Sequence, residues 1–272
     1  MRNIRLTLAY DGTAYCGWQV QANGPSIQAA VERAIQRLTG ETCPVYSAGR
    51  TDSGVHAIGQ TANFLTRSEI PAANWRPALQ AFLPRDIVVR AAYEAPLDFH
   101  STYWAVRKRY RYILHNGRAL FPCLRNYADH IRKRLDVAAM HAAAQVLLGK
   151  HDFRSFETNW PNKVTSVRTV MESGVVRCDG WPAWSCPQRL DAPPPSAETG
   201  EFICFDIVAD GFLYNMVRTI MGTLVNVGRG TWTPADVERI LKSQSRSLAG
   251  STAPACGLYL VSVDYRGEGD AA

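Results

Sequence analysis

Strand-like alternation and helical periodicity take turns along this chain, twice over, and that order limits its fold more than any other feature. Ile4, Leu6 and Leu8 alternate with Arg5, Thr7 and Ala9, the pattern of a strand with one buried face. Asp11-Gly12 ends it. Ser26 then caps a helix whose Ile27, Val31, Ala34, Ile35 and Leu38 share a face, and Gly40 stops it. Strands are expected at 44–48, 60–65 and 87–93, with Pro71, Pro77 and Pro84 breaking up the segment between the last two. The order then restarts. Residues 106–114 read as a strand, and Asp136 caps a helix that runs to Leu148 with Gly149 as its stop. Strands follow at 166–177 and 202–209, then an apolar helix around Met216. Thr233-Pro234 opens another helix with Val237, Ile240 and Leu241 facing inward, and 258–264 forms the last strand.

This order fits an α+β chain better than a regular βαβ series: two halves with a shared mixed or antiparallel sheet. The expected division is an N-terminal half over 1–105, a C-terminal half over 106–266 and a tail over 267–272. Residues 178–200 hold five prolines and read as an exposed insertion between two strands, its two tryptophans packing locally. With 272 residues, 46% of them hydrophobic, the chain has enough apolar material for a sizeable core.

The seven cysteines are odd in number and none has CxxC spacing, which argues against a zinc site or a disulfide framework. MRNIRLTLAY runs straight into strand alternation with no apolar signal core, so a cytoplasmic location is expected. The apolar helix at 212–227 contains Asn215 and Arg218 and is too short and polar to span a bilayer.

The formal charge of +6 points to a polyanionic partner only if it is clustered. It is: from Arg107 to Arg134 there are nine basic residues and one acid, Asp129. Within RKRYRYILH, a strand places Lys108, Tyr110 and Tyr112 on one face and Arg107, Arg109 and Arg111 on the other. Cations interleaved with aromatics suit a nucleic acid, whose phosphates take the charge and whose unpaired bases stack on rings. A solvated edge strand guarded by its charges is the competing explanation.

The chemistry concentrates in SAGRTDSGVHA, residues 47–57, where Asp52 stands between Arg50 and His56 and is flanked by Gly49 and Gly54. The sequence argues against a phosphate loop, because Val55-His56 stands where GxxxxGK[ST] needs Lys and Ser or Thr. A glycosidase needs a second carboxylate, and a metal-dependent nuclease needs an acid cluster; the stretch offers neither. Two readings stay open on the residues alone. Asp52 either braces a turn through nearby backbone amides or serves as a single catalytic carboxylate acting without metal. His56 and His100 read as hydrogen-bonded positioning groups, and Trp18 as core.

AGRTDSGVHA resembles the signature of the tRNA pseudouridine synthase A family, and further motifs follow in the family's order. They are YDGTAYCGWQ at 10–19, DFH at 98–100, RKRYRY at 107–112, HDFRSF at 151–156, MVRTIMGTLVNVG at 216–228 and TAPACGLYLVSVDY at 252–265. The resemblance implies a pseudouridine-synthase fold of two similar α+β halves around a central cleft, working as a homodimer. It implies isomerisation of uridines at positions 38 to 40 of the tRNA anticodon stem-loop, with further contacts to the elbow or backbone of the tRNA, and no cofactor. By position, Asp52 falls on the catalytic aspartate and Tyr110 on the tyrosine that stacks on the target uracil. Arg218 falls on the basic partner of the carboxylate, Arg50 on the arginine that holds the flipped nucleotide's place, and Leu258 on an apolar residue of the uracil pocket. The 178–200 segment is longer than the family's usual hairpin. A tRNA-binding protein without catalysis would keep the basic segment but have no need of Asp52 and Arg218.

Overall fold

The computed structural model describes residues 1–158, 165–183 and 200–267. The chain divides into two compact units, one made of Met1–Val106 with the residues from Leu260 onward, the other of Arg107–Tyr259. The first boundary agrees with the expected break near residue 106. The second does not follow the expected 106–266 half, because the last strand carries the chain back into the first unit. Most of the 178–200 insertion, residues 184–199 with one of its tryptophans, lies outside the described residues.

In the first unit, β1 (Arg2–Tyr10) lies between β3 (His56–Thr66) and β4 (Ile87–Ala95), antiparallel to both. The two-residue β2 (Tyr46–Ser47) pairs with β3, and β10 (Leu258–Tyr265), from Leu260 on, lies on the far side of β3. The alternation that marked β1 is real: Ile4, Leu6 and Leu8 are fully buried. Helix α1 (Ile27–Thr39) begins where the Ala29 amide donates to Ser26 Oγ. It ends where Gly40 turns left-handed, with φ of 77°, and its N–H bonds Gln36 O. Its Ile27, Val31 and Ile35 are fully buried, each such burial stabilising the fold by roughly 1.5–3 kcal/mol.

The proline-rich segment is not broken throughout. Helix α2 (Ala72–Gln80) forms around Pro77. Its Trp75 and Leu79 are completely buried, and Trp75 meets Phe64 edge to face at 5.2 Å. Burial of those side chains outweighs the single backbone hydrogen bond that proline removes.

In the second unit, β5 (Ala105–His115), from Arg107 on, pairs with β9 (Phe202–Ala209). β9 pairs with β8 (Val167–Cys178), and β8 with β7 (Gly149–Asp152), all antiparallel. The short β6 (Asp129–His130) runs parallel to the end of β5, so the sheet is mixed. Helix α3 (Val137–Gln145) packs on β8 and against α4 (Met216–Gly228) and α5 (Pro234–Ser243). Asp136 accepts from the Ala139 amide at the start of α3, and Thr233 and Asp236 form a capping box at the start of α5. α3 stops short of Leu148, and Gly149, with φ of 99°, turns the chain into β7. Among the described residues, no helix is long and apolar enough to cross a membrane.

One ion pair lies inside this sheet. Arg111 on β5 stands directly opposite Asp206 on β9, and the two make a bidentate contact of 2.9 Å through each oxygen with both side chains buried. Arg111 Nη1 also donates to Pro182 O at 2.7 Å. Removing one member would leave a charge buried without its partner, a loss of about 3–5 kcal/mol. Asp206→Ala should therefore lower the free energy of unfolding in urea by that order. A change below about 1 kcal/mol would show that the pair does not organise the unit.

Candidate active site

The loop that carries Asp52, between β2 and β3, is held by main-chain and side-chain hydrogen bonds together. Ala48 N–H donates to Thr61 O, Trp18 N–H to Thr51 O, and Gly54 N–H to Tyr15 O. The Thr51 hydroxyl lies 2.8 Å from the buried Tyr10 hydroxyl, and Gln60 Nε2 donates to Gly49 O at 2.7 Å. Burial pushes the Tyr10 phenol up to about 12, with the Thr51 and Gln60 hydrogen bonds opposing the shift, so it stays protonated at neutral pH. Asp52 is half-buried and Arg50 exposed, while Thr51 and Val55 on either side are buried. Asp52 thus sits half-buried on a turn anchored at several points.

Two glycines make this possible. A side-chain carbon on Gly12 would come within 2.0 Å of the Val55 carbonyl oxygen. On Gly17 it would come within 2.5 Å of the Thr51 carbonyl oxygen, and Gly17 also has φ of 97°. The 10–19 stretch therefore packs backbone to backbone against the Asp52 turn. His56 Nδ1 accepts from Gly12 N–H at 3.1 Å, tying the first residue of β3 to the same stretch. Trp18 is buried beside Tyr10, with ring centroids 6.1 Å apart.

The other three expected site residues belong to the second unit. Tyr110 on β5 is 7% exposed, and its ring is held edge-on by Phe212 at 4.9 Å and 77°. Tyr112, on the same face, is fully buried, and its hydroxyl donates to Pro254 O at 2.8 Å. Burial, reinforced by the nearby Asp129 carboxylate, pushes its phenol well above the ordinary tyrosine value. Tyr112 is thus an anchor for the 253–257 segment. Leu258 opens β10 and is buried. Gly257 before it lies so close to β5 that a side-chain carbon would meet Ile113 O and the Tyr112 ring at 2.7 Å.

Arg218 stands in the first turn of α4. Its Nε donates to Ala253 O at 2.7 Å and its Nη1 to Asn215 Oδ1 at 2.9 Å. Ala253 N–H returns a hydrogen bond to Arg218 O. Gly222 lets the 250–252 segment pack directly on the helix, since a side-chain carbon there would lie 1.8 Å from Ser251 O.

The basic segment is less open than its composition suggests. Arg107 and Arg109 both bind Glu172 on β8, at 2.9 and 2.5 Å, and Arg111 is committed to Asp206. Burial holds the Lys108 amine below its ordinary pKa, with Arg168 adding to the shift. The exposed cations lie further on, at Arg118, Arg125, Arg132, Lys133 and Arg134. Buried Asn116 secures their loop, donating to Ile131 O and Lys133 O while Leu135 N–H and Arg177 Nη2 donate to its Oδ1.

Comparison with known proteins defines the class of this chain, an RNA pseudouridine synthase, an isomerase. The family model described as tRNA pseudouridine synthase matches residues 7–104 and 143–266. A protein of Acetivibrio thermocellus named tRNA pseudouridine synthase A is 43% identical over 265 residues, covering 97% of this chain and all of that protein. A protein of the same name from Moorella thermoacetica is 45% identical over 264 residues, covering 96% of this chain and 99% of its own. The chain belongs to the tRNA pseudouridine synthase family.

If the exposed 118–134 loop carries the phosphate contacts, replacing Arg118, Arg132 and Lys133 together by Gln should flatten the plot of log affinity against log salt for tRNA. The slope should change by about 2 units, at roughly 0.7–0.9 per contact. Arg109→Gln, already paired with Glu172, should leave the slope unchanged. Equal slopes for the triple variant and the unaltered protein would refute this assignment of the charge.

Proposed function

We propose that this chain converts uridine to pseudouridine at positions 38, 39 or 40 of the anticodon stem-loop of tRNA. The observation that carries the reading is the single carboxylate of Asp52, half-buried on a backbone-fixed turn within AGRTDSGVHA. Support for the substrate comes from relatives named tRNA pseudouridine synthase A that match over almost their whole length. The protein would act as a homodimer in the cytoplasm, as the family resemblance implies.

The reaction conserves every atom. The C1′–N1 bond of uridine breaks, the uracil turns, C1′ joins C5, the C5 proton departs and N1 ends protonated. No electron or group leaves the substrate, so a cofactor has nothing to supply. A base in a helical stem must first be extruded, which costs a few kcal/mol, and phosphate contacts from the basic loop offset that cost. Ionised Asp52 has two available roles, adding to carbon as a nucleophile or assisting proton loss at C2′. Either requires the carboxylate form, which a cation beside it would favour; by the family resemblance that cation is Arg218. Arg50 holds the place vacated by the flipped nucleotide. Tyr110 stacks on the uracil, and Leu258 contributes apolar surface that keeps water from the detached base. Tyr110 acts through its ring, since stacking on the base needs no hydroxyl.

Incubation with unmodified tRNA transcripts, followed by mapping of pseudouridine at nucleotide resolution, tests this. Conversion at 38, 39 or 40 and nowhere else is expected, and Tyr110→Phe should retain stacking and most of the rate. Conversion confined to other positions would refute the assigned substrate site, and loss of turnover in Tyr110→Phe would assign the hydroxyl a chemical role.

A further inference from the structure

The start of α4 breaks three local rules at once, and all three concern Arg218. An asparagine at the N-cap normally has extended backbone and accepts from an amide in the first helical turn. Asn215 instead has φ of 61° and ψ of 5°, left-handed, and makes no such cap bond. It is one of two non-glycine residues with positive φ among the described residues. A left-handed backbone costs a side-chain-bearing residue energy, although asparagine tolerates it better than most. The third departure is Arg218 itself, a cation in the first helical turn, where the macrodipole disfavours positive charge.

The Asn215 amide explains what these departures achieve. Its Oδ1 accepts from Arg218 Nη1 at 2.9 Å, and its Nδ2 donates to Thr158 Oγ1 at 3.1 Å. Thr158 is itself fastened to the same turn, its N–H donating to Tyr214 O. Both ends of the amide are therefore committed, and swapping its oxygen and nitrogen would aim a donor at a guanidinium. The Ala253 carbonyl accepts from Arg218 Nε at 2.7 Å. Two acceptors on two different nitrogens of one planar group fix both its position and its plane. Local rules broken together, with no gain in helix stability, mark a functional constraint.

We propose that Asn215 is a positioning residue for Arg218: it gives up the helix cap and accepts a left-handed backbone to hold the guanidinium in the orientation that the reaction needs. This rests on the role proposed above for Arg218. Asn215 touches no substrate. It acts only by presetting the arginine, so its removal slows turnover without weakening tRNA binding.

Glycine is the informative replacement, because it enters the left-handed region without cost and removes only the side chain. Asn215→Gly, Arg218→Gln and the double variant should be compared by kcat and KM on unmodified tRNA, with melting temperatures in parallel. Asn215→Gly should melt within a few degrees of the unaltered protein. Its kcat should fall by about 10- to 100-fold, the scale of a small misplacement of a reacting group, with KM little changed. The double variant should be no slower than Arg218→Gln alone, since a residue acting through the arginine has nothing left to act on. Unchanged kcat in Asn215→Gly, or losses that multiply in the double variant, would overturn the inference while leaving the role of Arg218 intact. Full activity in Arg218→Gln would overturn both.

Discussion

The backbone-to-backbone approach of residues 10–19 to the Asp52 turn is the constraint that holds the one candidate catalytic carboxylate in place. Gly12 and Gly17 have no room for a side chain, and Gly17 also needs a left-handed backbone. What they gain is a turn held by main-chain hydrogen bonds at Thr51 and Gly54, with one half-buried carboxylate between buried Thr51 and exposed Ser53. Side-chain anchors would move with each rotamer change; amide anchors from a neighbouring strand and loop do not. Tyr10 and Gln60 complete the support from beneath, one through the Thr51 hydroxyl and the other through Gly49 O.

Charge in this protein is divided by depth. The arginines of β5 answer acids from the next two strands: Asp206 on β9 for Arg111 inside the sheet, and Glu172 on β8, beyond β9, for Arg107 and Arg109 nearer the surface. Within the basic segment, the cations left exposed are those of the loop after β5, which Asn116 and Arg177 hold from within. A segment that looks uniformly basic in sequence is thus a structural half followed by an accessible half. The turn before α4 shows the reverse economy, with local helix stability given up to fix one arginine.

Most of the scaffold was legible because its signals are local. Ser26 and Gly40 bound α1, Thr233 with Asp236 opens α5, and the alternation in β1 matches its buried face. Helix α2 was not legible, since its stability comes from burying Trp75 and Leu79 against partners distant in sequence, which no reading of Pro77 reveals. The return of the final strand to the first unit was hidden for the same reason. At the candidate site, Asp52, Arg50, Tyr110, Arg218 and Leu258 stood out through motif resemblance, whereas the residues that hold them did not. Gly12 read only as the end of β1 and Gly17 only as part of a motif, although two glycines within one short motif are themselves a sign of close packing. Asp206, an acid inside the otherwise apolar FICFDIVA, was the visible hint that an arginine would be buried opposite it.

One carboxylate on an anchored turn, Asp52, is proposed to carry the chemistry. Single-turnover measurement of pseudouridine formation by Asp52→Asn, with tRNA affinity measured on the same preparation, tests this most directly. No product above the uncatalysed background is expected, with affinity within a few-fold of the unaltered protein. Product formation at the normal rate would contradict it.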